Sequence, residues 1–198
     1  MTSFHLSYDY RCPFAKNLHL HVVEALRAGA DFDITFVPWT MGQGHRAEGA
    51  PDVWADPRQD SANLALAVSA SIRDRQPDRF LDAHEALFRA RHERAIRLNT
   101  IEQITEVLAP LGVDMDDVIA DLETRRPFDV LGESFAYMAQ FEAFGVPTFV
   151  VNNDATFVRY MKPPTGDGAA STAIISSLVT MMAEQIDVNE FKHTKVPN

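Results

Sequence analysis

Hydrophobic and polar residues alternate over residues 3–10, with Phe4, Leu6 and Tyr8 set against His5, Ser7 and Asp9. That period of two predicts a half-buried strand. From Pro13 to about Ala28 the period lengthens: Phe14, Leu18, Val22 and Leu26 recur near helical spacing, and Gly29 supplies a stop. Phe32 to Val37 predicts a second strand ending at Pro38. A strand, a helix and a strand joined over this length form a βαβ unit.

The pattern then changes. Residues 42–58 hold Gly42, Gly44, Gly49, Pro51 and Pro57 and read as loop. A long helical stretch follows, with no convincing strand. Its segments are Ser61 to Arg75, a break at Gln76-Pro77-Asp78, and Asp78 to Arg94, with Phe80, Leu81, Leu87 and Phe88 on its apolar side. Thr100 and Gln103 form a capping box opening a helix through Leu108, and Gly112 closes that turn. Asp114 caps a short helix reaching Thr124. Pro127 and Asp129 open another, with Phe135, Met138, Phe141 and Phe144 as its core-facing set. Past the break at Gly145-Val146-Pro147, Thr148 to Val151 predicts a strand, Asn152-Asn153-Asp154 a hairpin turn, and Thr156 to Met161 the partner strand. A loop at Pro163 to Gly166 and a helix from Ala169 to Ile186 complete the pattern, and the polar tail from Asp187 to Asn198 is expected to be partly extended.

Composition narrows the function classes. With 198 residues, 46% of them hydrophobic and 13 of them Phe, the chain can bury a sizeable core. A net charge of -10 argues against sequence-independent nucleic-acid binding and against anionic membrane surfaces. No apolar stretch approaches the ~18 residues of a spanning helix. The N-terminus has no basic region followed by an apolar run, and one cysteine forms no internal disulfide. These points favour a cytoplasmic setting.

That cysteine, Cys12, falls where the first strand meets the first helix. A helix N-terminus offers unpaired N–H groups and a positive dipole end, which favour thiolate over thiol. Pro13 suits the first helical turn, Arg11 and Lys16 add positive charge, and Asp9 and Lys16 are candidates to tune the thiol. A depressed Cys12 pKa is therefore expected, although a free cysteine is most often a small buried hydrophobe. Tyr10 and Phe14 flank the thiol, and Trp39 is as readily core as cleft wall. His19 and His21 are two apart on a helix and make a poor metal pair. His84 and His92 read as solvated surface. Gly42-Gln43-Gly44 opens no clear helix, and Asp114-Met115-Asp116-Asp117 is helix capping. No metal site is predicted.

Two segments carry a family resemblance: Tyr8-Asp9-Tyr10-Arg11-Cys12-Pro13-Phe14-Ala15 and Phe144-Gly145-Val146-Pro147-Thr148-Phe149. Together, and within this element order, they resemble the DsbA-like branch of the thioredoxin superfamily. The first matches its active-site turn, usually Cys-Pro-aromatic-Cys. The second matches its Val-Pro-Thr loop, whose proline is normally cis. The resemblance implies an α/β thioredoxin fold over residues 1–57 and 144–198, interrupted by an all-helical insertion over residues 58–143. The nearest relatives look like cytoplasmic, actinobacterial-type members, including mycothiol-dependent reductases, with 2-hydroxychromene-2-carboxylate isomerase and kappa-class glutathione transferase beside them.

The resemblance implies Cys12 as the catalytic group, with Tyr10, Pro13, Phe14, Ala15, Trp39, Val146 and Pro147 around the substrate. A cis Pro147 would present the Val146 backbone to an extended substrate or to the peptide part of a thiol cofactor. The departure is Ala15, which stands where the second cysteine belongs. A dithiol cycle needs that residue to release its mixed disulfide. What remains is monothiol oxidoreductase or thiol-transferase chemistry, with no tightly bound cofactor and with glutathione or mycothiol as external co-substrate. Two alternatives stay open. In the isomerase and transferase relatives a serine at the Cys12 position activates a bound thiol by hydrogen bonding, which would give a thiol-dependent isomerase of aromatic ring-cleavage products. The other is a non-catalytic module that binds a peptide or partner protein. The expected partner is a small thiol or disulfide, aromatic substrates included, with no nucleic acid and no membrane; a homodimer is open.

Overall fold

In a computed structural model, residues 2–195 are described. Strand β1 (Thr2–Tyr8) lies inside a four-stranded sheet of order β2-β1-β3-β4. It pairs in parallel with β2 (Phe32–Pro38), from Thr2 opposite Phe32 to Tyr8 opposite Pro38. On its other edge it pairs antiparallel with β3 (Thr148–Val151), Leu6 opposite Phe149. Strand β4 (Asp154–Phe157) closes a hairpin with β3. The alternation in β1 sorts its two faces as a pleated strand must. Phe4, Leu6 and Tyr8 are fully buried, and the Tyr8 ring meets His19 of helix α1 (Pro13–Arg27). His5 points the other way and stacks on Tyr137.

Helix α1 crosses from β1 to β2, and α7 (Gly168–Glu184) packs against it. Five helices stand between β2 and β3: α2 (Asp60–Arg75), α3 (Pro77–Glu93), α4 (Ile101–Leu108), α5 (Met115–Glu123) and α6 (Arg126–Ala139). Their ends follow local chemistry. Thr100 Oγ1 accepts from Gln103 N, while the Gln103 side chain reaches back one residue further than a capping box requires, to Asn99 N. Asp114 accepts from Asp116 N and Asp117 N. Gly112, at φ +67°, makes the left-handed turn between α4 and α5. The predicted loop at 42–58 contains short 3₁₀ turns at Met41–His45 and Pro57–Gln59.

Three expectations need correction. Phe144 is 77% exposed, because α6 ends at Ala139 and the helical period no longer carries Phe144 inward; its ring leans on Phe157. The hairpin's second strand is Asp154–Phe157, earlier and shorter than predicted. Asn152 and Asn153 both adopt positive φ, so they alone make the turn and Asp154 already pairs with Val151. The last helix begins at Gly168, capped by Asp167, and ends at Glu184. The tail is exposed from Asp187 through Lys195, and its last three positions lie outside the described residues.

Candidate functional site

Cys12 is the N-cap of α1. Its sulfur accepts a 3.5 Å hydrogen bond from Ala15 N, and its thiol donates to the Val146 carbonyl oxygen at 3.2 Å. The Val146–Pro147 peptide is cis. The loop carrying it is pinned from three sides. Thr148 N donates to Ser7 Oγ of β1, Thr148 Oγ1 donates to Gly145 O, and Val158 N donates to Pro147 O.

The electrostatics differ from the sequence expectation. Burial is the largest influence on Cys12 and pushes its pKa up; the N–H groups of Ala15 and Phe14 oppose this without reversing it. Neither anticipated cation reaches the sulfur. Arg11 turns back to Asp9, with Nε 3.0 Å from Oδ1 and Nη2 2.6 Å from Oδ2, and Lys16 pairs with Glu93 at 3.3 Å. The cation that does favour the thiolate is Arg159, just beyond β4, which lies over the Phe14 ring at 4.9 Å. Nothing local in the sequence marks Arg159; only the β4 register brings it here. Asp9 is not free to act as a base. Its carboxylate accepts from Arg11 N, the Arg11 guanidinium and Met41 N, and its charge raises the Cys12 pKa slightly.

The expected wall residues divide into two groups. Around the sulfur stand exposed Pro13, half-buried Phe14, and buried Ala15, Val146 and Pro147. Trp39 is buried and stacked on Phe135 of α6, with its indole N–H unpartnered. Tyr10 is buried too, and its side chain joins a chain of hydrogen bonds whose direction can be derived. His19 Nε2 is 3.1 Å from the Ser7 carbonyl, which only accepts, so Nε2 carries the proton and Nδ1 accepts. His84 Nε2 therefore donates to His19 Nδ1 at 2.9 Å, and Tyr10 Oη donates to His84 Nδ1 at 2.8 Å. Burial keeps both imidazoles neutral: His19 is lowered to about 3 and His84 falls well below its ordinary value.

His84 and His92 are thus not solvated surface. His84 is fully buried, and half-buried His92 donates from Nε2 to Tyr10 O at 2.8 Å. The spacing of Phe80, His84, Leu87 and Phe88 along one face of α3 was the signal for His84. Through these two histidines α3 holds the loop that leads into Cys12. His21 instead contacts Ser171 and Lys162 O, apart from His19. Among the described residues no group of three or more His, Cys, Asp or Glu side chains is arranged to hold a metal, and no helix is long and apolar enough to cross a membrane.

Comparison with known proteins gives a consistent result. The family model described as "DSBA-like thioredoxin domain" matches residues 5–171. Among solved structures, the cytosolic disulfide reductase DsbM from Pseudomonas aeruginosa, with GSH, is similar at 15% identity and a TM-score of 0.60, covering 90% of this chain and 99% of that one. A probable DsbA oxidoreductase from Streptomyces coelicolor is 16% identical with a TM-score of 0.63, over 100% of this chain and 94% of that one. Oxidoreductase DsbA from Xylella fastidiosa is 20% identical with a TM-score of 0.55, over 91% and 86%. At such identities the likeness is one of fold. No curated protein matches.

Proposed function

The chain belongs to the DSBA-like thioredoxin domain family, and from that premise we propose that it is a thiol-dependent oxidoreductase working through Cys12 alone with an external low-molecular-weight thiol. The observation that carries this reading is the placement of the Cys12 sulfur at the α1 N-cap against the Val146 carbonyl, with Ala15 filling the second-cysteine position. In the first step the Cys12 sulfur attacks a disulfide. One Cys12–substrate S–S bond forms, the substrate disulfide breaks, the departing thiolate takes up a proton, and the Cys12 proton goes to solvent. In the second step an external thiol attacks the mixed disulfide. Cys12 leaves as thiol and the external thiol departs in a new disulfide. Protein sulfur returns to its starting state, and the substrate disulfide has been exchanged.

The raised Cys12 pKa makes the resting form a thiol. A substrate backbone N–H that donates to Val146 O replaces the thiol at that acceptor and frees the sulfur to ionise, a form of β-strand addition. The solved DsbM structure holds GSH, and glutathione is the first external thiol to test. A cytoplasmic setting, where such thiols are plentiful, suits the cycle.

One observation favours a second reading. Cys12 is a hydrogen-bond donor kept protonated by burial, which is the role needed to orient the sulfur of a bound thiol without forming a disulfide. That would suit an isomerase of aromatic ring-cleavage products. Intact mass separates the two. Incubation with oxidised glutathione or mycothiol disulfide should add one thiol per chain, reversed by the reduced thiol and absent in Cys12→Ser. A chain that binds reduced glutathione but forms no adduct, even at about pH 10, well above an ordinary thiol's pKa, would overturn the disulfide cycle in favour of the second reading.

A further inference from the structure

A cavity of about 380 Å³ opens behind the Cys12 loop, between that loop, α2 and the segment that follows α3. Asp9, Tyr10 and Arg11 form one wall, but Cys12 itself does not line it. We propose that this cavity binds a small organic carboxylate with an apolar body, as a site separate from the thiol.

The first argument is charge. Arg91 and Arg97 both line the cavity, and neither makes a salt bridge among the described residues. Nine of the other twelve arginines are paired with carboxylates; among the described residues Arg79, Arg94 and Arg159 are not, but none of these three lines the cavity. Three acids of α3, the helix that carries Arg91, are committed elsewhere. Asp82 and Glu85 hold Arg27, and Glu93 holds Lys16 and Arg89. Asp9, the one carboxylate in the lining, has both oxygens taken by Arg11 and Met41 N. Arg91 and Arg97 therefore line one concavity whose single carboxylate, Asp9, is already engaged by Arg11. A guanidinium binds a carboxylate through two parallel N–H donors.

The second argument is shape. The rest of the wall is mainly apolar, formed by Ala62, Ala65, Leu66 and buried Leu98, with Ser61 and Asn99 as its polar members. The volume lies in the range of small-molecule sites, where apolar walls and a few convergent polar groups are usual. Leu98 is held at φ +58°, a conformation rare for a bulky side chain. Before it, Ala95 at φ +55° turns the chain after α3 and Ile96 N donates back to Ala90 O, which puts Arg97 on the same cavity as Arg91. The ligand's anionic group is assigned to the arginines and its apolar body to the leucine wall.

The test is calorimetric titration of the full chain with benzoate, phenylacetate, phenyl phosphate and, as a neutral control, benzyl alcohol. Saturable binding of a carboxylate, with none of benzyl alcohol, is expected. Arg91→Gln combined with Arg97→Gln should weaken it at least about tenfold with an unchanged circular dichroism spectrum. Arg97→Gln alone, at an exposed side chain, gives the same direction should the double variant not fold. Cys12→Ser should leave carboxylate affinity unchanged, so the result stands or falls apart from the disulfide cycle. Binding insensitive to both arginines, binding lost in Cys12→Ser, binding of phenyl phosphate alone, or no binding would each overturn the assignment.

Discussion

The Cys12 thiol and the Val146 carbonyl oxygen lie 3.2 Å apart across 134 residues of sequence. A carbonyl has no proton to give, so the sulfur must be the donor. Ionising Cys12 would set a negative sulfur against the negative end of a carbonyl dipole, in a site where the cysteine is only 6% exposed. The helix N-terminus pulls the other way, through the Ala15 and Phe14 amides. Burial wins, and a helix N-cap position, which by itself favours a thiolate, holds a thiol.

The pH dependence of alkylation follows. Modification of Cys12 by iodoacetamide should stay slow at neutral pH and rise only above the ordinary thiol pKa of about 8.5. A half-maximal rate below neutrality would contradict the burial argument. Stability carries the same sign. The unfolded chain loses its thiol proton first, so stability should begin to fall as pH rises past about 8.5. Chemical denaturation of Cys12→Ser, which lacks the thiol, should show less of this decline.

Restoring the missing cysteine should change the chemistry. Ala15 is fully buried one turn into α1, and its amide already meets the Cys12 sulfur. Ala15→Cys is expected to form an intramolecular disulfide with oxidised glutathione, with no retained adduct, and to reduce insulin where the natural chain does not. The added sulfur must fit a filled core, at a cost of about 1–3 kcal/mol. Robust insulin reduction by the natural chain would overturn the monothiol reading.

Legibility in the sequence followed the range of the physics involved. The βαβ start, the helix caps at Thr100 and Asp114 and the Asn152–Asn153 turn depend on neighbours within a few residues, and they could be read. So could Cys12 and Val146–Pro147, though only their family resemblance placed them opposite each other. The state of the thiol could not be read. Whether Arg11 faces Cys12 or Asp9, and whether Arg159 reaches Phe14, depends on tertiary side-chain choices. His84 was legible in principle from its apolar neighbours on α3, because its position on that face outweighs the polarity of the residue type.

Gly168 limits the approach of α7 to α1. A Cβ there would lie 2.5 Å from Ala28 Cβ and 3.2 Å from Glu24 O, neither of which can swing aside. Gly168→Ala should therefore destabilise the chain by about 1–3 kcal/mol, although alanine is the better helix former. Gly44→Ala, with nothing within 4 Å of the added carbon, serves as the control and should change stability by less than about 0.5 kcal/mol. Urea midpoints of the two variants decide the point.

The buried histidine chain predicts early acid sensitivity. His19 is lowered to about 3 and His84 well below its ordinary value, both chiefly by burial. A denatured chain protonates the same groups near pH 6.5. Between those limits the unfolded state binds protons that the folded state refuses, so stability falls as pH falls. The limiting slope is about 1.4 kcal/mol per pH unit for each such histidine. His5, His21 and His92 are also lowered, mainly by burial, and add in the same direction. Loss should therefore begin near pH 6.5, before most carboxylates titrate, and urea midpoints from about pH 6.5 to 5 isolate it. His84→Gln keeps a donor and an acceptor between His19 and Tyr10 but does not titrate. It should cost about 1–3 kcal/mol near neutrality for imperfect geometry, yet show a shallower decline toward pH 5. A flat natural-chain profile over that window, or an equal slope in the variant, would mean that the His84 chain opens to water before it can resist protonation.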